Sequence, residues 1–247
     1  MIGTSTNRDP VYNFTAAGTY AITLKASGVS GTCTKTIDLV IKPSPIARPV
    51  FISPSRQCFA GNQFCFLDSS SPAVGSQILR RSVLFSDGQR YSANNPSIGD
   101  AICHSIIDSK GAVLSMKMEL VDKNGCLTET TFDSFIQAFP AMNVRISSNS
   151  PVRCDSTKAT ITNLTYTDWR RDRNSTIGLK DIARFEFDFG GGDPAIIIGD
   201  SVTNTSYWTG DRSDGIIEHW YRKPGVYEAS LKVTSKYGCT ETFKLKE

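Results

Sequence analysis

Ala17-Gly18-Thr19-Tyr20-Ala21-Ile22-Thr23-Leu24-Lys25, Lys110-Gly111-Ala112-Val113-Leu114-Ser115-Met116-Lys117-Met118 and Pro224-Gly225-Val226-Tyr227-Glu228-Ala229-Ser230-Leu231-Lys232 are three versions of one segment. Each runs on to a cysteine, Cys33, Cys126 or Cys239, at a Gly-to-Cys spacing of 15, 15 and 14 residues. Each cysteine opens onto a Thr-rich strand: Thr34-Lys35-Thr36, Thr128-Glu129-Thr130 and Thr240-Glu241-Thr242. Side chains alternate in all three. Tyr20, Ile22 and Leu24 share one face, as do Leu114, Met116, Met118 and Leu120, and Tyr227, Ala229, Leu231 and Val233. A period of two is the geometry of a strand with one buried and one wet face.

The closing cysteines lie 93 and 113 residues apart, the length of a small β-sandwich. A second landmark opens each unit. Arg56-Gln57-Cys58-Phe59 and Val152-Arg153-Cys154-Asp155 lie 96 residues apart. Pro43, Pro45 and Pro49 precede the first, Pro140 and Pro151 the second. Proline fixes φ and lacks a donor, so these read as stiff linkers. The expected organisation is the closing half of a module over 1–45, a full module over 46–140, and a module with loop insertions over 141–247. Turn signals at Asp87-Gly88, Asn124-Gly125, Lys223-Pro224-Gly225 and Tyr237-Gly238 separate further short strand candidates. No segment of twelve or more residues has helical periodicity. The predicted fold is all-β, a tandem of β-sandwich modules whose first member is incomplete.

Composition excludes other classes. No apolar run approaches the ~20 residues of a membrane helix. A net charge of +3 is too small to mark a nucleic-acid binder. The first residues contain no basic segment followed by an apolar one, so the chain reads as a mature or internal piece.

Seven cysteines and two histidines offer little material for a Cys/His metal site, and no C-x-x-C occurs. Four cysteines in the middle unit allow three connectivities. The repeat alignment selects Cys58–Cys126, Cys154–Cys239 and, inside the middle unit, Cys65–Cys103. Cys33 then occupies the closing position of a unit whose opening strands are expected upstream or on another chain. Tyr20, Ile22 and Leu24 would otherwise face water. Disulfides imply an oxidising compartment.

Phe185-Glu186-Phe187-Asp188-Phe189-Gly190-Gly191-Gly192 resembles the W-x-F-G-D-G strand and turn of PKD (polycystic-kidney-disease) domains, with Phe187 in place of Trp and Gly191 in place of Asp. Val83-Leu84-Phe85-Ser86-Asp87-Gly88 is a weaker version. Asp9-Pro10-Val11-Tyr12-Asn13-Phe14 and His219-Trp220-Tyr221 resemble parts of that family's N-P-x-H-x-Y segment, and Asn95-Pro96 and His104 supply it in the middle unit around an insertion holding Cys103. With its added cysteines the chain looks like the PKD-like repeats of very large Bacteroidota surface proteins, including SprB-type gliding adhesins exported by the type IX secretion system. The resemblance implies Ig-like sandwiches, an extracellular or outer-membrane-attached location, and a non-catalytic stalk or adhesin role. Expected partners are neighbouring modules of the same chain, other motility or adhesin components, and polysaccharide or surface ligands. Accessory domains of a secreted hydrolase are the alternative.

Catalysis is not expected. His104 and His219 fall at the same strand position of separate units, where a structural role suffices, and a Ser-His-Asp triad needs a positioned His. Gly190-Gly191-Gly192 lacks the G-K-[ST] and helix of a phosphate loop. No cofactor is expected; the acidic stretch from Asp188 to Asp214 is the one candidate for Ca²⁺, through its oxygen ligands, although it lacks the EF-hand spacing. Two insertions are candidate binding loops. Trp169, Arg170, Arg171 and Arg173 set a ring beside guanidiniums, suited to an acidic sugar or protein; Tyr207 and Trp208 combine aromatics with turn residues. Ser156 and Ser201 lie in D-[ST]-x patterns of the kind that carry O-glycans in Bacteroidota.

Overall fold

A computed structural model describes residues 3–149, 157–167, 182–199 and 216–245. These residues contain no helix and form nineteen strands. Contacts divide it into two compact units. Unit 1 comprises Met1–Ile52, Cys65–Ile102 and Leu114–Ser134; unit 2 comprises Ser53–Phe64, Cys103–Val113 and Phe135–Glu247. This division runs through the middle repeat, unlike the sequence boundaries at 46 and 141.

Strands β1 (Gly18–Gly28) and β2 (Gly31–Ile41) form a two-stranded antiparallel sheet closed by the loop Val29-Ser30. The register sets Tyr20 against Leu39 and Ile22 against Ile37 on one face. On the other, the Thr23 and Thr36 hydroxyls meet at 2.9 Å. Alternation therefore built the hairpin as expected; Phe14 packs on Tyr20 at one end of its apolar face, with ring centroids 4.5 Å apart, while Leu24 is 71% exposed. Tyr20 folds back and donates its hydroxyl to Ala16 O, as Tyr227 does to Lys223 O. The two Gly-x-Tyr segments thus share a local hook as well as a spelling.

The middle repeat contributes β3 (Pro49–Phe51), β4 (Arg56–Cys58), β5 (Phe64–Asp68), β6 (Ile78–Phe85), β7 (Arg90–Asn94), β8 (Ala101–His104), β9 (Ala112–Asp122) and β10 (Leu127–Phe139). Hydrogen-bonded order is β3-β5-β8 in one sheet and β4-β10-β9-β6-β7 in the other. Along β9, Leu114, Met116, Met118 and Leu120 are all buried, while Ser115, Lys117 and Glu119 between them are partly exposed. Phe66 of β5 meets Phe85 of β6 edge to face at 6.5 Å, so the two sheets pack through apolar faces. Arg81 of β6 reaches Asp68 of β5 at 2.8 Å, with both side chains buried. Asp68 also accepts from Ser70 N–H. Paired and hydrogen-bonded, these charges fix which strands face each other.

The third repeat contributes β11 (Met142–Asn143), β12 (Ile146–Ser148), β13 (Thr157–Asn163), β14 (Tyr166–Thr167), β15 (Ile182–Asp188), β16 (Ile196–Gly199), β17 (Ile216–Tyr221), β18 (Ser230–Ser235) and β19 (Thr240–Lys244). They order as β11-β14, β12-β13-β17 and β16-β15-β18-β19. Ile146, Ile161 and Ile217 from one sheet and Phe185, Phe187, Leu231 and Val233 from the other make one apolar core.

The triple glycine after β15 is a turn. A Cβ on Gly190, whose φ is +71°, would stand 2.6 Å from Glu228 O. Gly190→Ala is therefore expected to destabilise unit 2 by more than ~1 kcal/mol, since the residue is strained and the neighbour is backbone. A denaturation midpoint equal to that of the parent would contradict this.

Candidate functional site

The most distinctive chemistry among the described residues is a disulfide within unit 2 that joins positions the sequence reading assigns to different repeats. Strand β4 lies parallel to the end of β10, with Cys58 opposite Phe139. Cys58 is disulfide-bonded to Cys239, with 5.6 Å between the Cα atoms and 181 residues between the positions. Next to Cys239, the Tyr237 ring stacks on Phe139 at 4.2 Å and 6° between planes. The opening cysteine of one repeat, the end of that repeat's last strand and the closing turn of the next repeat thus form one cluster within unit 2. Hydrogen bonds from Gln137 N–H to Ser55 O and from Ala141 N–H to Ser109 O hold the surrounding backbone.

This corrects the expected Cys58–Cys126 and Cys154–Cys239 pairings. Cys126 is a free, half-buried thiol, and Cys33 is free and exposed. Cys126 immediately precedes the thirteen residues of β10. Cys58 pairs at the far end of that strand. Cys58 belongs with Cys239 to unit 2 and is bonded to it, whereas Cys126 belongs to unit 1, so the within-repeat bond does not form. Cys65 on β5 and Cys103 on β8 are both disulfide-bonded. Cys154 lies outside the described residues, as do Trp169, Arg170, Arg171, Arg173, Tyr207, Trp208, Ser156 and Ser201.

The closing turns of repeats two and three are superposable in their hydrogen bonds. Asp122 N–H donates to Cys126 O as Ser235 N–H does to Cys239 O. Gly125 N–H donates to Asp122 O and Gly238 N–H to Ser235 O, both at 3.0 Å. Side-chain oxygens repeat too: Asp122 Oδ1 accepts from Cys126 N–H at 2.9 Å, and Ser235 Oγ accepts from Cys239 N–H at 3.1 Å. Burial pushes the Asp122 carboxyl up, but hydrogen bonds from Cys126 N–H, the Ser76 hydroxyl and Asn124 N–H together hold it below its usual value. A carboxylate stabilised this way contributes stability that is present above its unfolded-state pKa and lost as pH falls through the lower folded one. Asp122→Asn should therefore flatten the acid limb of the stability profile below pH ~4. An unchanged limb would show that the turn does not depend on the charge.

His219 is framed by rings rather than by reactive partners. It stacks on Phe189 at 4.1 Å and meets Tyr221 edge-on at 4.7 Å. Burial lowers its pKa, against the opposing pull of Asp193, whose carboxylate lies 3.4 Å away. His104 is buried on β8. Among the described residues no group of three His, Cys, Asp or Glu side chains is placed to hold a metal ion. The described residues contain no helix long and apolar enough to cross a membrane.

The fold and this junction define a class: an all-β chain of tandem Ig-like sandwich repeats, stapled by disulfides. No family model and no curated protein matches it. Among solved structures, the fibronectin(III)-like modules of Clostridium thermocellum CbhA are similar at 12% identity over 80% of this chain and 92% of that one, with a TM-score of 0.31. A structure concerned with Dscam isoform specificity is similar at 9% identity over 92% of this chain and 57% of that one, with a TM-score of 0.21.

Proposed function

We propose that the chain is a non-catalytic repeat segment of an extracellular surface adhesin or filament, acting as a spacer whose successive repeats are covalently coupled. The Cys58–Cys239 bond carries this reading, because it joins an opening cysteine to the closing turn of the following repeat. A bond of that kind adds nothing to a catalytic cleft but resists separation of repeats along a chain. Disulfides also favour an oxidising, extracellular setting. The PKD-like motifs and their cysteines support the gliding-adhesin form of the proposal, with neighbouring modules and surface components as partners.

A glycan array probed with the oxidised chain tests the spacer role against ligand binding. The spacer reading expects no retention of either the parent or the Trp169→Ala and Trp208→Ala variants. Retention of the parent that both substitutions abolish would replace it with a ligand-binding module.

A further inference from the structure

Cys126 occupies, in repeat two, the place that Cys239 occupies in repeat three, yet only Cys239 is bonded. Their turns share the hydrogen bonds described above, and Gly125 and Gly238 have φ of +79° and +80°. A second correspondence lies outside the turns. Phe139, the residue before the junction Pro140, stacks on Tyr237, two residues before Cys239. Lys42, the residue before the junction Pro43, donates from Nζ to Asn124 Oδ1 at 3.0 Å, and Asn124 stands two residues before Cys126. The Thr128 hydroxyl also donates to Pro45 O at 2.6 Å. The end of repeat one therefore meets the closing turn of repeat two at the positions where the end of repeat two meets the closing turn of repeat three.

One component differs. In the bonded junction β4 lies alongside the end of β10 and sets Cys58 opposite Phe139. Among the described residues β2 pairs only with β1, so the corresponding edge at the end of β2 is open there. We propose that Cys126 is half of a second inter-repeat disulfide, and that its partner is an opening-type cysteine, the counterpart of Cys58, on a strand seated parallel to β2 beside Lys42. The proposal rests on the repeat reading above but not on any adhesive role. It explains why the closing thiol is retained at a turn whose twin is cross-linked, and what covers the bare edge of the hairpin.

Formation of the bond removes one hydrogen from each thiol and needs a disulfide oxidant. With glutathione disulfide, the Cys126 thiolate displaces one glutathione thiolate and becomes a mixed disulfide. The opening cysteine's thiolate then attacks Cys126 Sγ and displaces the second. The two protons surrendered by the cysteines end on the two glutathione thiols.

The test duplicates residues 46–140 within the full chain, so that one middle repeat precedes another. The chain is refolded in a glutathione redox buffer, alkylated and mapped by mass spectrometry without reduction. The two Cys126 peptides differ in mass, because one copy runs on into Ile46 and the other into Ala141. The expected map links the second copy's Cys126 to the first copy's Cys58 and keeps Cys239 linked to the second copy's Cys58. The first copy's Cys126 stays alkylated. Cys58→Ser in the first copy should free only the second copy's Cys126, and the same change in the second copy should free only Cys239. A Cys58–Cys126 bond inside either copy, or in the unduplicated chain, overturns the proposal. So does a second-copy Cys126 that stays alkylated, whether or not Cys239 is bonded, because the inserted repeat brings both junction sequences with it.

Discussion

Pulling the oxidised chain by its ends should leave the residues between Cys58 and Cys239 shielded from force, and reduction should release them. The loop spans 181 positions, so the fully stretched chain should lengthen by about 60 nm when the bond is opened. Unfolding of the third repeat would then register under force only in the reduced chain. Single-molecule force spectroscopy with and without dithiothreitol reads this directly, and Cys239→Ser should open the same loop under oxidising conditions, short only of the stretch that the bonded Cys65 and Cys103 still close. Equal contour lengths in both states would show that the two cysteines are not joined, and the spacer function would lose its main support. The same bond closes a long loop, so on the chain-entropy account its removal costs up to about 5 kcal/mol of stability.

Asp68→Ala should be the most damaging single change in unit 1. It strands the Arg81 guanidinium, whose side chain is 7% exposed, and whose Nε already lacks a hydrogen-bond partner. The remaining carboxylate, Asp100, lies 3.6 Å from the other terminal nitrogen and is itself partly exposed. Removing one member of a buried pair costs about 3–5 kcal/mol, since the survivor's charge stays desolvated. Replacing both residues by apolar side chains of similar volume, Asp68→Leu with Arg81→Met, should recover most of that loss. Urea unfolding of the three variants separates these outcomes. A loss below ~1 kcal/mol for Asp68→Ala would mean that the pair is solvated and worth no more than a surface bridge.

The strands were legible because their signal is local. Leu114, Met116, Met118 and Leu120 alternate in sequence, and a pleated backbone turns alternation into one buried face whatever its neighbours do. The closing turns were legible for the same reason: Asn124-Gly125 and Tyr237-Gly238 require positive φ at glycine, which any structure must honour. The importance of Tyr237 and Phe139 was not legible. Each is one aromatic among many, and their stacking depends on two strands more than ninety residues apart. Nothing in the sequence singles out Arg81 or Asp68, and only the packing of the two sheets buries them.

The cysteines mark the division most clearly. By itself the sequence determined that the chain is all-β, that it repeats, and that Cys58 and Cys239 occupy an opening and a closing position. Alternation, turn residues and spacing are properties of the chain read in order, so they survive without coordinates. Which opening position meets which closing position was decided by tertiary structure alone. Strand β10 carries the chain thirteen residues away from Cys126 before β4 pairs with it. That pairing puts Cys58 in the compact unit that also holds Cys239, while Cys126 falls in the other, and a contact between strands far apart in the chain is not written in the order of its cysteines.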